Sequence, residues 1–200
     1  MSQSLSVRQK LDRWFFRQIA IWSLIFKRDA ISIEYWERVR VLDSRNPKVP
    51  ASIAHILAEQ GKNREAVALL HQSLALEPNQ PGTWFNLGYL LQKIDEHQEA
   101  ILAFRRATEH DSKLDRAWYG LALSLIKVGE VEEAVSALKR NTELQPMSPY
   151  GWYQLAHAYL RLGQQEKAEK VIMKLAKFEP KIALQLEKET GIKSGVNLPF

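Results

Sequence analysis

Cysteine is absent from the 200 residues, so disulfide staples and thiolate chemistry are excluded. A chain without cysteine fits the expectation of a cytoplasmic protein. Long apolar runs are also missing. The densest, Trp14 to Phe26, covers 13 residues and is broken by Arg17 and Gln18, whereas a bilayer span needs about 20. Lys27, Arg28 and Asp29 follow it in place of a small-residue cleavage pattern, so neither a transmembrane helix nor a cleavable signal is expected. Catalytic signatures are lacking too. There is no phosphate-binding loop, no metal-spaced histidine pair and no nucleophile–base arrangement, and the 5 histidines are scattered. No enzyme, cofactor or metal site is therefore expected.

Charge is present but unevenly spread. The net charge is +5, yet residues 81–148 hold eight basic and ten acidic side chains. The surplus sits at the ends: nine basic against five acidic in residues 1–46, and six against three in 149–182. An acidic centre does not make a nucleic-acid stripe, and nucleic acid is disfavoured as a partner.

The chain is organised by a fixed interval, the one that separates Trp84 from Trp118 and Trp118 from Trp152. Trp84, Leu87 and Gly88, followed by Ala100, Phe104 and Ala107, recur as Trp118, Leu121 and Ala122 with Ala134 and Leu138. They recur again as Trp152, Leu155 and Ala156 with Ala168 and Ile172. Small residues at fixed places let paired helices approach closely, and the large ones fill the spaces between pairs. Asn141, in the place of Ala107, is an exception, because a buried amide must find partners or cost about 1–3 kcal/mol.

These residues and their spacing resemble the tetratricopeptide repeat. The resemblance implies an all-α, right-handed superhelical solenoid of about five helix-turn-helix repeats. Clear copies fall at 81–114, 115–148 and 149–182. A copy at 47–80 keeps Ile53, Ala54, Leu57, Gly61, Ala66 and Leu70 but has Pro50 where the others have tryptophan, so its first helix is expected to begin only at Pro50. Residues 1–46 read as a basic amino-terminal helix with a degenerate first repeat. There Phe16, Ile19 and Ala20 stand for Trp84, Leu87 and Gly88, while Ser32, Trp36 and Val39 stand for Ala100, Phe104 and Ala107. Ser4 or Ser6 is the expected cap of the first helix and Asp29 that of the second. Residues 183–200 read as the remainder of a capping helix, begun near Lys181 and ended by Gly191, followed by a mobile tail from Ile192.

The family resemblance also implies a non-enzymatic scaffold or adaptor that binds a protein or peptide segment in a concave groove lined by first helices, in support of a larger assembly. Carried over position by position, the groove residues are Phe85, Asn86, Tyr89 and Lys93 from the third repeat. Arg116, Tyr119 and Lys127 come from the fourth, and Tyr153, His157 and Arg161 from the fifth. An aromatic face edged by Lys93, Lys127 and Arg161 suits a segment with apolar anchors and acidic character. The same cations also offset helix dipoles. One form of the family clamps a chaperone's terminal carboxylate, but Ala51, His55 and Gly120 stand at three of its five positions, so chaperone tails are not expected.

The first helix is apolar nearly all round. In the repeat register Phe15, Ile19, Trp22 and Phe26 pack towards other helices, while Trp14, Arg17, Ile21, Leu24 and Ile25 face the groove side. Such a helix is either covered internally or docks on something else. The candidates for the latter are a membrane surface, favoured by the flanking basic residues, and self-association.

Overall fold

The computed structural model describes residues 6–196, and Ser4, the alternative cap, lies outside them. Among the described residues there are eleven α-helices and no strand: α1 Val7–Ile25, α2 Asp29–Leu42, α3 Lys48–Glu59, α4 Asn63–Leu76, α5 Pro81–Lys93, α6 His97–His110, α7 Asp115–Val128, α8 Val131–Leu144, α9 Pro149–Arg161, α10 Gln165–Ala176 and α11 Pro180–Thr190. The chain divides into two compact units, 1–94 and 95–200, and the division falls inside the 81–114 repeat.

Local chemistry explains the helix ends. Ser6 caps α1 through a reciprocal capping box, its hydroxyl accepting from Gln9 N–H while the Gln9 side chain accepts from Ser6 N–H, which satisfies two otherwise free donors. α5, α9 and α11 begin on Pro81, Pro149 and Pro180, where a missing N–H costs nothing. Ser148 precedes Pro149 but makes no side-chain cap bond, so the proline alone presets that first turn. Arg28, not Asp29, is the cap residue of α2; Asp29 is its first residue, where a carboxylate favours the positive end of the dipole. α3 starts at Lys48 rather than Pro50, because Pro50 still lies among the first four residues, whose N–H groups have no helical partner to lose.

The turn between the helices of a pair needs a left-handed residue. Gly61, Gly129 and Gly163 take it with φ of 77°, 91° and 68°, while Lys27 and Asp95 take it with φ 54° and 62°. A side chain in that conformation is strained where glycine is not.

In unit 1–94, α1 packs on α2, α2 on α3, α3 on α4 and α4 on α5. Ala20, Ser32, Trp36 and Val39 are buried, and Ser32 Oγ donates to Ala20 O at 2.8 Å. The α1–α2 pair is closed further by Arg13 to Asp43 at 2.6 Å and by the edge of Phe16 against Tyr35 at 5.7 Å. In unit 95–200, α6 packs on α7 and each later helix on the next through α11. Its core holds Ala100, Phe104, Ala107, Leu121, Leu125, Leu138, Leu155 and Ile172.

The repeat tryptophans are only partly core. Trp152 is buried, whereas Trp84 and Trp118 are half-buried. All three indole N–H groups donate to the carbonyl six residues earlier, Pro78, Ser112 and Pro146, at 2.8, 3.0 and 2.9 Å. The indole thus ties the loop between repeats to the helix that follows it, a role a purely apolar residue would not fill.

Two places in the second unit trade volume between neighbours. Asn141 Nδ2 donates to Asp115 O at 3.0 Å, as Ser73 Oγ donates to Pro47 O at 2.8 Å, so the amide is satisfied. Its bulk is admitted by Gly151, where a Cβ would lie 2.2 Å from Asn141 Oδ1. Likewise a Cβ on Gly120 would lie 2.5 Å from Phe104 Cζ. Where Leu70 and Leu138 replace the phenylalanine, the residues at the place of Gly120 are Asn86 and Gln154.

The carboxyl-terminal stretch is anchored further than expected. Gly191 ends α11 with φ 73°, but Ile192 and Ser194 are buried. Ser194 N–H and Oγ–H both donate to Glu187 Oε2, at 2.9 and 2.6 Å, and these bonds hold the Glu187 carboxyl below its usual range. The mobile stretch therefore does not begin at Ile192; residues 197–200 lie outside the described residues.

Candidate functional site

First helices present the candidate residues, and each unit has its own face. In unit 1–94, Arg17, Ile21 and Leu24 of α1 stand over Ala51, Ser52 and His55 of α3, enclosing a depression of about 490 Å³. Trp36 forms part of its floor, and Asn46, Lys48, Gln80 and Thr83 complete the lining. Arg17, Lys48 and His55 are exposed and make no ion pair among the described residues. An apolar floor with the cations Arg17 and Lys48 unpaired at its rim is suited to a segment that pairs apolar and acidic side chains.

Further along this unit, Phe85 and Tyr89 stack at 6.5 Å with 19° between planes. Lys93 Nζ lies 5.0 Å from the Tyr89 ring centre. The spacing of four residues on α5 puts all three on one face, and the cation is held over the ring by its quadrupole. Asn86 is exposed beside them.

In unit 95–200, Arg116 and Lys127 are exposed and Tyr119 is half-buried on α7. Burial raises the Tyr119 phenol above its ordinary range, against a lowering hydrogen bond with Gln154. On α9, Arg161 is exposed, and the rings of Tyr153 and His157 meet edge-on at 4.7 Å. These two rings are already engaged. Tyr153 O–H donates to Glu189 Oε2 at 2.7 Å, and His157 Nε2 lies 3.1 Å from the same oxygen. Gln185 Nε2 donates to Glu189 Oε1 at 2.8 Å. The Gln185, Tyr153 and His157 bonds hold the Glu189 carboxyl below its usual range, and donation to that carboxylate holds the Tyr153 phenol above its own. α11 thus supplies an internal acid to the last repeat.

The five amino-terminal candidates separate. Arg17, Ile21 and Leu24 enter the depression with α3, whereas Trp14 and Ile25 belong to the outer surface, 61% and 62% exposed. Phe15, Trp22 and Phe26, expected against other helices, are 55%, 56% and 68% exposed. The reason is geometric: Phe16, Ala20 and Ser23 already provide the side of α1 that meets α2, and Phe15, Trp22 and Phe26 are turned away from it. Trp22 and Phe26 stack at 6.4 Å, and Trp14, Phe15, Ile19, Trp22 and Phe26 border a shallow hollow of about 520 Å³.

Lys48, Ser52, Gln80 and Thr83 were not among the expected groove residues. The signal was in the register: Lys48, Ala51, Ser52 and His55 stand two repeats before Arg116, Tyr119, Gly120 and Leu123. Among the described residues, no three His, Asp or Glu side chains gather as a metal site, and no helix is long and apolar enough to cross a membrane.

Comparison with known proteins gives a consistent likeness. A family model described as TPR repeat matches residues 54–95, one described as tetratricopeptide repeat matches 81–113, and one described as anaphase-promoting complex, cyclosome, subunit 3 matches 100–175. The tetratricopeptide repeat-containing protein trd-1 of Caenorhabditis elegans is 40% identical over 58 residues, 28% of this chain and 8% of that protein. The chain therefore matches less than a tenth of that relative's length. Among solved structures, a MamA protein superposes with a TM-score of 0.77 at 21% identity, over 94% of this chain and 98% of that one. YrrB, described as a TPR protein with an unusual peptide-binding site, superposes with a TM-score of 0.77 at 19% identity, over 86% and 90%. MamA from Desulfovibrio magneticus RS-1 gives 0.74 at 19% identity, over 90% and 97%. At these identities the structural likeness shows the fold, an all-helical repeat solenoid.

Proposed function

Because the chain belongs to the tetratricopeptide-repeat proteins, whose repeats serve protein interaction, we propose that it is a non-enzymatic adaptor that binds an extended or helical protein segment on its first-helix faces. The observation that carries this reading is the depression of about 490 Å³ in the first unit, lined by the apolar Ile21, Leu24 and Trp36 and edged by Arg17, Lys48 and His55. Such a site rewards an apolar anchor by removing it from water and steers a neighbouring acidic side chain onto the rim. Phe85, Asn86, Tyr89 and Lys93 extend the same unit's recognition surface. In the second unit Arg116, Tyr119, Lys127 and Arg161 offer a face of similar chemistry, while Tyr153 and His157 bind only in competition with Glu189. The peptide-binding site of YrrB supports a peptide ligand for this kind of fold.

The test is a display selection of random peptides on the full chain, followed by titration of the enriched peptides. The expected winners pair a large apolar residue with acidic neighbours and lose at least about tenfold in affinity, about 1.4 kcal/mol, against Arg17→Glu/Lys48→Glu. Failure to enrich any peptide, or affinity untouched by the double change in a folded protein, overturns the reading.

A further inference from the structure

The outer face of α1 has no role in the depression. Leu11, Trp14, Trp22, Ile25 and Phe26 follow one another at helical spacings, so they form one stripe along the helix. All are more than half exposed, and from Val7 to Phe26 the stripe runs about 28 Å. Gln18 lies on the stripe between Trp14 and Trp22 and borders the hollow with them, yet an exposed apolar surface of this length is unusual on a water-facing helix and marks a contact.

Charge decides which contact. Arg8, Lys10, Arg17, Lys27 and Arg28 border the stripe or its ends, are exposed and have no ion-pair partner among the described residues. The helix has a single carboxylate, Asp12, and it is half-buried. Two copies joined through this face would set cations against cations with no acid to relieve them, which disfavours self-association. A surface that is apolar below and anionic above has the complementary order. Tryptophan suits it further, since the amphipathic indole settles at the level of lipid headgroups. Nothing in this arrangement requires a spanning helix, only one lying in the interface plane.

We propose that the outer stripe of α1 seats the protein on an anionic lipid surface, with Trp14, Trp22, Ile25 and Phe26 entering the headgroup boundary and the flanking Lys and Arg pairing with lipid phosphates. The apolar side chains supply depth and the cations supply selectivity for negative lipid, each basic residue contributing through a field that salt screens within about 10 Å at 0.1 M. The face is opposite to the one that packs on α2 and separate from the Arg17–His55 depression save for Arg17 itself, so docking leaves the peptide face open. This reading stands or falls independently of the proposed function.

The experiment is flotation of the full chain with two kinds of vesicle, one of phosphatidylcholine alone and one of two parts phosphatidylcholine to one part phosphatidylglycerol. Partition into the anionic vesicles is expected to exceed that into neutral ones at least about tenfold and to weaken as salt rises from low to physiological strength. Trp22→Ser/Phe26→Ser and, separately, Arg8→Gln/Lys10→Gln/Lys27→Gln/Arg28→Gln are each expected to lose at least about tenfold in partition. Both sets are exposed, so circular dichroism should report an unchanged helical fold. Equal flotation with neutral and anionic vesicles, binding that survives both sets of changes, or no flotation of the unaltered chain overturns the proposal. So does sedimentation showing a dimer that the Trp22→Ser/Phe26→Ser change dissociates, because the stripe would then be covered by a second copy.

Discussion

The first-helix faces of the two units differ in whether their polar groups already have partners. In residues 1–94, Arg17, Lys48 and His55 ring an apolar depression without forming an ion pair among the described residues. In residues 95–200, Tyr153 and His157 stand at corresponding kinds of position but share the carboxylate of Glu189. A second difference runs alongside. Asn86 in the first unit is exposed on its helix, while Gly120, one repeat later, carries no side chain because the Phe104 ring fills that space. A repeat register locates a face, but the neighbours of each position decide whether its donors are available, since a satisfied donor gains little from a new partner.

The largest expected effect comes from forcing the second unit to carry the first unit's residue. Gly120→Asn places a Cβ where the Phe104 ring lies, 2.5 Å away, and should cost about 2–3 kcal/mol in urea unfolding. Phe104→Leu, the residue of the neighbouring repeats, should restore most of that loss when combined with it, giving a coupling of at least about 1 kcal/mol. Strict additivity of the two changes would mean that the glycine is not there to make room for the ring.

Next in size is the difference in binding. For peptides selected on the whole chain, Arg17→Glu/Lys48→Glu should weaken binding at least about tenfold, near 1.4 kcal/mol. Tyr153→Ala/His157→Ala should change it less than about threefold, because those groups give up an internal acid before they can take an external one. Calorimetric titration checks both, and the reverse order would place recognition on the second unit.

A smaller effect concerns the turn positions. Gly61, Gly129 and Gly163 adopt positive φ, and Lys27 and Asp95 do the same with a side chain. Asp95→Gly should stabilise the protein by about 0.5–1 kcal/mol in thermal or urea unfolding. A loss would show that the aspartate side chain contributes more locally than its backbone strain costs.

How far the sequence can be read follows from which physics repeats. The helix pairs are legible because small and large residues recur at one fixed interval, and packing imposes that recurrence on any such chain. The repeat boundaries at 81 and 149 coincide with the starts of α5 and α9, the last helix begins one residue before the expected Lys181, and its end is legible from Gly191. Other features depend on pairs of residues rather than positions. Gly120 visibly breaks the carboxylate clamp, but its cause, the bulk of Phe104, needs the two side chains placed together. Asn141 looks like an unsatisfied amide until Asp115 O and the space left by Gly151 are in view. The amino-terminal helix is harder, because a helix apolar all round gives no periodicity from which to choose a buried side. Phe15, Trp22 and Phe26, expected inward from the register alone, therefore face out. The depression beside Arg17 is masked in the sequence because Pro50 interrupts the repeat pattern between Lys48 and Ser52, although His55 keeps the register.

The smallest expected effect isolates Glu189. Its carboxyl is held below its ordinary value by bonds from Gln185, Tyr153 and His157. A depressed carboxylate contributes stability that is present above its unfolded pKa and is lost as pH falls through the folded value, so this contribution disappears on the acid side of the usual glutamate range. Tyr153 gives the opposite edge. Its phenol is raised by donation to Glu189, so its contribution is complete below the ordinary tyrosine value and is lost as pH rises above it. Glu189→Gln should therefore flatten part of the acid-side slope of the urea midpoint and leave the midpoint near its original value below the glutamate range. It should also raise the second unit's affinity for acidic peptides, because Tyr153 and His157 lose their internal carboxylate. An unchanged acid slope together with unchanged peptide affinity would mean that the Glu189 cluster fastens α11 and has no bearing on what the last repeat can bind.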